Sequence, residues 1–129
     1  ALSVWRPIQY SPGYVALADA LERYVSSEAT AMMKMPFSLG DAEKVRKLVV
    51  GSGFRNVRIR LDIDMVRFSS SEEFIRRQVA SSPLAGFVSQ VDANAWAALL
   101  EDFNMRMDTY IDDDGLAFPI EAYLAVAYK

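Results

Sequence analysis

The chain has 129 residues, 52% of them hydrophobic and 24% charged, with a mean hydropathy of +0.07. This profile predicts one soluble globular domain with a sizeable core and excludes a disordered chain, which needs low hydrophobicity and high net charge. The formal charge of −3, from 14 basic and 17 acidic residues, gives no general attraction to nucleic acid. The longest stretch without a charge, Gln78 to Val91, holds Ser81, Ser82, Pro83 and Gln90. It is too short and too polar to span a bilayer. The opening residues lack the basic-then-apolar pattern of a signal peptide.

Cysteine and histidine are both missing from the sequence. Disulfides, thiolate zinc sites, redox dithiols and thiol nucleophiles are thereby excluded, as are a Ser-His-Asp triad and a histidine base. Acid–base chemistry on this chain falls to Asp, Glu, Lys or Tyr. A cysteine-free composition fits a reducing compartment, and a cytoplasmic location is the expectation.

In chain order, Ala1 to Trp5 reads as a strand buried on both faces, which suggests a piece of a longer protein. Arg6-Pro7 ends it, because proline cannot donate to the ladder. Ser11-Pro12-Gly13 opens a helix with Ser11 as N-cap and Pro12 at its first position. Tyr14, Leu17, Ala18, Leu21, Tyr24 and Val25 form its apolar stripe. A shorter helix covers Glu28 to Lys34 and stops at Pro36. Ser38 is read as the cap of the next helix, with Asp41 in a capping-box place. Ala42, Val45, Leu48 and Val49 form its buried side, and Gly51 and Gly53 its left-handed stop.

The following strand alternates. Val57, Ile59, Leu61, Ile63 and Met65 point one way, and Arg58, Arg60, Asp62 and Asp64 the other. The phase slips at Met65-Val66, which predicts a β-bulge or bend. The charged face reads as solvated, with cross-strand charge pairs. Ser70-x-x-Glu73 boxes a helix over Ser69 to Val79, and a short helix after Pro83 carries Leu84, Phe87, Val88 and Val91. Asp92 caps a longer helix with Trp96, Leu99, Leu100, Phe103, Met107 and Tyr110 on one face. Asp112-Asp113-Asp114-Gly115 is a turn, without the spacing of an EF-hand loop. The last segment, Leu116 to Tyr128, is a strand apolar on both faces. The order is β-α-α-α-β-α-α-α-β, one α/β unit over residues 1–129.

Three stretches carry a family resemblance: ALSVWRPI, the helix SPGYVALADALERYV, and PFSLGDAEKVRKLVVGSGFRNVRIR. Together they resemble the C-terminal half of class I S-adenosylmethionine-dependent methyltransferases, nearest the ubiquinone/menaquinone-biosynthesis C-methyltransferases. The resemblance implies a Rossmann-like methyltransferase sheet, with strand five at Leu2 to Trp5 and strand six at Val57 to Ile63. It implies that strand seven, Ile120 to Tyr128, lies between them and antiparallel to both. From Glu72 to Asp114 the match is one of length and helical character alone.

The family's cofactor motif, a glycine-rich turn after strand one and an acidic end to strand two, is not in this sequence. Gly51-Ser52-Gly53 comes nearest, but it leads from a helix to a strand, the reverse of the required geometry. The resemblance therefore implies S-adenosylmethionine as cofactor of a longer parent, with the cofactor site mainly outside this chain. It also implies a small-molecule methyl acceptor, no metal, and a chain that is inactive alone.

In the resembled enzymes the loops after strands four and five wall the substrate pocket, which makes Trp5, Arg6, Tyr10, Tyr14 and Phe37 the candidate substrate-binding residues. Core filling is the competing reading for Trp5 and Tyr14. Met32, Met33 and Met35, close to Phe37, form a candidate adaptable lid or a patch of ordinary core. A non-catalytic ligand-binding or dimerisation module is the alternative to the enzyme. The edge of the Ala1–Trp5 strand, apolar and unpaired, predicts a homo-oligomer.

Overall fold

The computed structural model describes residues 1–38 and 40–129. The elements are β1 (Leu2–Trp5), α1 (Pro12–Tyr24), α2 (Ser27–Lys34), α3 (Ala42–Gly51), β2 (Arg55–Phe68), α4 (Ser71–Ala80), α5 (Ala85–Val88), α6 (Ala93–Arg106), β3 (Ile111–Asp112) and β4 (Gly115–Tyr128). β4 lies between β1 and β2 and runs antiparallel to both. The first and last strands therefore meet, with Val4 opposite Tyr123 and Trp5 opposite Ala122. A fourth strand, β3, adds to the three read from the sequence. The acidic turn is a tight hairpin that pairs Ile111 with Leu116 and Asp112 with Gly115, and Gly115 supplies a φ of +119°. Asp112 Oδ1 accepts the Asp114 N–H at 2.8 Å, which closes the turn.

Helices cover both faces of this α/β sheet, but at opposite ends. On one face, Val66, Phe68, Leu116 and Phe118 meet α1, α4 and α6. Phe74 is the hub there, with its ring centroid 5.0 Å from Phe68, 5.2 Å from Phe118 and 5.7 Å from Phe103. Leu17 and Leu21 of α1 and Leu99 of α6 complete this core, as their periodicity predicts. Thr30 Oγ1 ties α2 to α1 by donating to the Ala18 carbonyl at 3.1 Å. On the other face α3 lies against β2 and β4 near the C-terminal end of β4, where Ala125 is buried. β4 is thus covered on one face along its first half and on the other near Ala125. Val126 and Tyr128 stay 37% and 61% exposed, so its doubly apolar pattern is only partly matched by cover.

Several local expectations are corrected. β1 is not buried on both faces: Leu2 and Trp5 keep 40% and 39% exposure, because β1 has a strand on one side only and little cover. The cap of α3 is Asp41, whose carboxylate accepts the Glu43 N–H at 2.8 Å, and not Ser38, which ends a 3-10 turn over Met35–Phe37. Within α3 only Val45 is buried, and Leu48 is 54% exposed, since α3 covers just one corner of the sheet. Gly53 is left-handed at φ +91°, whereas Gly51 stays helical. Ser11 begins α1 without a side-chain cap bond, and its buried hydroxyl has no partner among the described residues.

β2 has no bulge at Met65-Val66. Its ladder to β4 runs in register from Arg58 to Phe68, and the irregularity lies between Arg55 and Arg58. The slip in the hydrophobic phase has another cause. The strand turns its odd positions towards the α3 side and its even positions towards the α4–α6 side, so the buried parity changes along its length. Val66 and Phe68 enter the main core. Leu61, Ile63 and Met65 lie beyond the reach of α3 and stay 46%, 59% and 60% exposed. Nor do the charged even positions find charged partners across the ladder: Arg58, Arg60, Asp62 and Asp64 face Val126, Leu124, Ala122 and Ile120 of β4.

Candidate functional site

At the carboxyl end of β1 a cavity of about 190 Å³ lies between β1, α1, α2 and α4. Trp5, Tyr14 and Phe37 form its aromatic wall, with Phe37 centred 6.5 Å from Trp5 and 5.3 Å from Tyr14. Met32 and Met33 line it as well, while Met35 is turned to solvent. Pro36, inside the 3-10 turn, folds Phe37 back over the wall. A few polar groups sit among these surfaces, as a small-molecule site requires. They come from Tyr14, Gln78, Ser81 and Ser82. The Ser81 and Ser82 hydroxyls donate to the Arg77 and Gln78 carbonyls at 2.8 and 2.7 Å, which leaves their oxygens as acceptors. Burial pushes the Tyr14 phenol above its ordinary pKa, with Gln78 pulling the other way, so Tyr14 keeps its proton through neutral pH.

Arg6 and Tyr10 are elsewhere. Successive strand residues face opposite sides, so Arg6 points away from the Trp5 cavity towards Tyr123 and Glu121. Its guanidinium carbon lies 3.5 Å from the centre of the Tyr10 ring and 5.4 Å from that of Tyr123. Nη1 meets Glu121 Oε1 at 3.3 Å, with both side chains largely buried. Burial lowers the Arg6 pKa, but Tyr123, Tyr10 and Glu121 outweigh it, and the net shift is upward. Nε is buried and has no hydrogen-bond partner among the described residues. The five candidate residues thus divide into an aromatic cavity (Trp5, Tyr14, Phe37) and a cation sandwich (Arg6, Tyr10).

Gln78, Ser81 and Ser82 carry no mark of a site in the sequence. They lie at the end of α4, far from the wall in sequence, and only the packing of α4 beside α1 brings them in. No local pattern marks them. A second depression of about 220 Å³, bounded by Leu2, Leu48, Val49, Phe54 and Ala125, lies under α3 on the opposite face. It is mainly apolar. Ser52, whose hydroxyl donates to the Leu48 carbonyl, is among the described residues the one polar side chain at its border.

The chain's glycines do not fit the cofactor of the resembled enzymes. β1 leads into Pro7 and a 3-10 turn, Gly51 and Gly53 close a helix, and Gly115 closes a hairpin. None of these forms the strand-to-helix turn that cradles such a ligand, and Gly13, in the first turn of α1, lies under the Phe118 ring. Among the described residues no helix is long and apolar enough to cross a membrane. No protein-family model matches the chain, and no relative is found among curated proteins.

Proposed function

We propose that this chain is the sheet-completing and acceptor-binding part of a class I S-adenosylmethionine-dependent methyltransferase that acts on a small organic molecule. The observation that carries the reading is the sheet order: β4 lies between β1 and β2, antiparallel to both, with the aromatic cavity at the carboxyl end of β1. That order is what the resemblance implies for strands five, seven and six. In this reading the residues that hold the cofactor belong to the parent's other half, and the setting is cytoplasmic.

The cavity's chemistry suits a compact, largely apolar acceptor with one hydrogen-bonding edge. Trp5 and Phe37, packed on each other, would lie against one flat face, while Gln78 orients the edge and the Ser81 and Ser82 oxygens accept from it. Such a wall contributes by positioning and by excluding water, both of which lower the barrier for an in-line methyl transfer. Tyr14, held protonated by burial, is a hydrogen-bond donor in the wall rather than a base.

Calorimetric titration of the whole natural gene product with S-adenosylmethionine tests the reading. Binding by that product, and none by the 129-residue chain, is the expected result. A whole product that does not take up the cofactor would overturn it in favour of a non-catalytic ligand-binding module.

A further inference from the structure

β2 is an edge strand. It pairs with β4 on one side, and among the described residues nothing pairs with the other. It is 14 residues long and carries three exposed apolar side chains, Leu61, Ile63 and Met65, a combination that invites another strand. Two contacts mark where its outer edge is already occupied. Arg46 Nη1 donates to the Val57 carbonyl at 3.1 Å, and the Met65 N–H donates to Asp64 Oδ1 at 2.9 Å. Both are odd-numbered positions, so the odd residues turn their main-chain groups outward. Ile59, Leu61 and Ile63 lie between them, with no side-chain cap among the described residues.

The sequence across this open stretch is Arg58-Ile59-Arg60-Leu61-Asp62-Ile63-Asp64. Its charges invert about Leu61 while its apolar residues mirror. None of the four charged residues forms an ion pair within the chain among the described residues, and their neighbours on β4 are apolar. We propose that the outer edge of β2 is a homodimerisation surface, on which β2 of a second copy pairs antiparallel about a two-fold axis at Leu61.

In that register Arg58 faces the second copy's Asp64, and Arg60 its Asp62. Leu61 meets its own counterpart, and Ile59 meets Ile63. The odd positions form the hydrogen-bonded pairs of the new ladder. The charged positions fall at the non-hydrogen-bonded pairs, where opposite side chains approach most closely. A slip of two residues either way sets Arg60 against Arg60 or Asp62 against Asp62, so one register is singled out. The irregularity at Arg55–Arg58 and the Arg46 cap end the pairing on one side. The edge of β1 is the weaker candidate. It is four residues long, has no charge between Leu2 and Trp5, and in the methyl-transfer reading faces the parent's missing strand. The β2 proposal does not depend on that reading.

Sedimentation equilibrium on the 129-residue protein tests the proposal, with far-ultraviolet circular dichroism to confirm folding. The wild type is expected to pass from monomer to dimer between about 10 and about 500 μM, the range of a modest interface. Raising the salt from about 0.05 M to about 0.5 M should weaken the dimer, because the charge pairs are exposed. Arg60→Asp alone and Asp62→Arg alone should each lower association at least about tenfold, since each sets like charges face to face twice. Mixed in equal amounts, the two variants should form a heterodimer as tight as the wild type. Leu61→Lys, at an exposed position on the axis, should also be monomeric. A wild type monomeric throughout the range would overturn the proposal. So would single variants that dimerise like the wild type, which would point to another surface such as β1, and so would a mixture that stays monomeric.

Discussion

Tyr14 stands 5.3 Å from Phe37 on one side and 5.4 Å from Phe74 on the other, so a single ring joins the candidate site to the main core. Phe74 meets it edge-on, at 82°. This places the wall of the cavity on a rigid support rather than on a loop. A side chain that only lined a pocket could be removed at little cost to folding, but Phe37 is both wall and packing. Phe37→Ala should therefore destabilise the protein towards the lower end of the roughly 3–5 kcal/mol typical of such truncations, because the site opens to solvent on one side. Chemical denaturation measures this. A cost near zero would mean that Phe37 is not packed as described.

The cavity itself can be probed through Trp5. Trp96 is the one other tryptophan, on α6, and Trp96→Phe leaves Trp5 as the reporter. Catechol, a small flat phenol, should quench this emission saturably in that background. Phe37→Ala should weaken the response at least about tenfold, the loss expected when an aromatic face worth about 1.4 kcal/mol or more is removed. Quenching that rises linearly without saturation, as for collision in solution, would argue against a formed site.

Gly13 lies in the first turn of α1 with the Phe118 ring directly over the place where a Cβ would go. Phe118 is fully buried, so the ring has nowhere to retreat. Two effects of Gly13→Ala oppose each other. Alanine favours the helix by at most about 1 kcal/mol, and less near the end of a helix. Overpacking a closed core costs about 1–3 kcal/mol. Net destabilisation is expected, visible as a lower thermal midpoint. A stabilised variant would show that the ring moves freely.

The cap of α3 shows how far local sequence reading carries. Ser38 and Asp41 are both good N-caps in isolation, and the apolar pattern after them fits either start. The choice is made by the 3-10 turn around Pro36, which uses Ser38 to finish one element before Asp41 begins the next. Asp41→Ala should cost about 1 kcal/mol and Ser38→Ala almost nothing. Equal effects in denaturant melts would restore the earlier start.

The same limit recurs on a larger scale. Helical stripes such as Leu17, Ala18 and Leu21 were legible, because one helix face meets one core. The alternation in β2 was legible too, but the layer that each face would meet was not. Leu61 and Val66 carry similar side chains, and only the position of α3 leaves the first exposed and the placement of α4 and α6 buries the second. Trp5 and Arg6 make the point for the site. Proximity in sequence suggested one pocket, whereas the two-residue period of a strand sends them to opposite faces. Gln78 lay out of reach for the opposite reason, being close in space and distant in chain.

The start of α4 carries a pH dependence whose sign follows from its hydrogen bonds. Ser70 Oγ accepts the Glu73 N–H at 3.0 Å, one half of a capping box. The other half reaches one residue further back than usual: Glu73 accepts from the Ser69 N–H at 2.8 Å and also from the Ser69 hydroxyl. These bonds to Ser69, with a smaller contribution from Arg77, hold the Glu73 pKa below its ordinary 4.5. A carboxylate with a depressed folded-state pKa stabilises the fold fully above its unfolded value, and that stabilisation is lost as the pH falls through the folded value. The wild type should therefore lose thermal stability on acidification from about pH 5 downward, where carboxylates begin to protonate. Glu73→Gln keeps an oxygen that can accept from Ser69 but cannot titrate, so its midpoint should fall less over the same range. Other carboxylates contribute to the slope in both proteins, and the difference between the two curves isolates Glu73. Parallel curves from pH 7 to pH 3 would show that the Ser69 bonds do not favour the charged form.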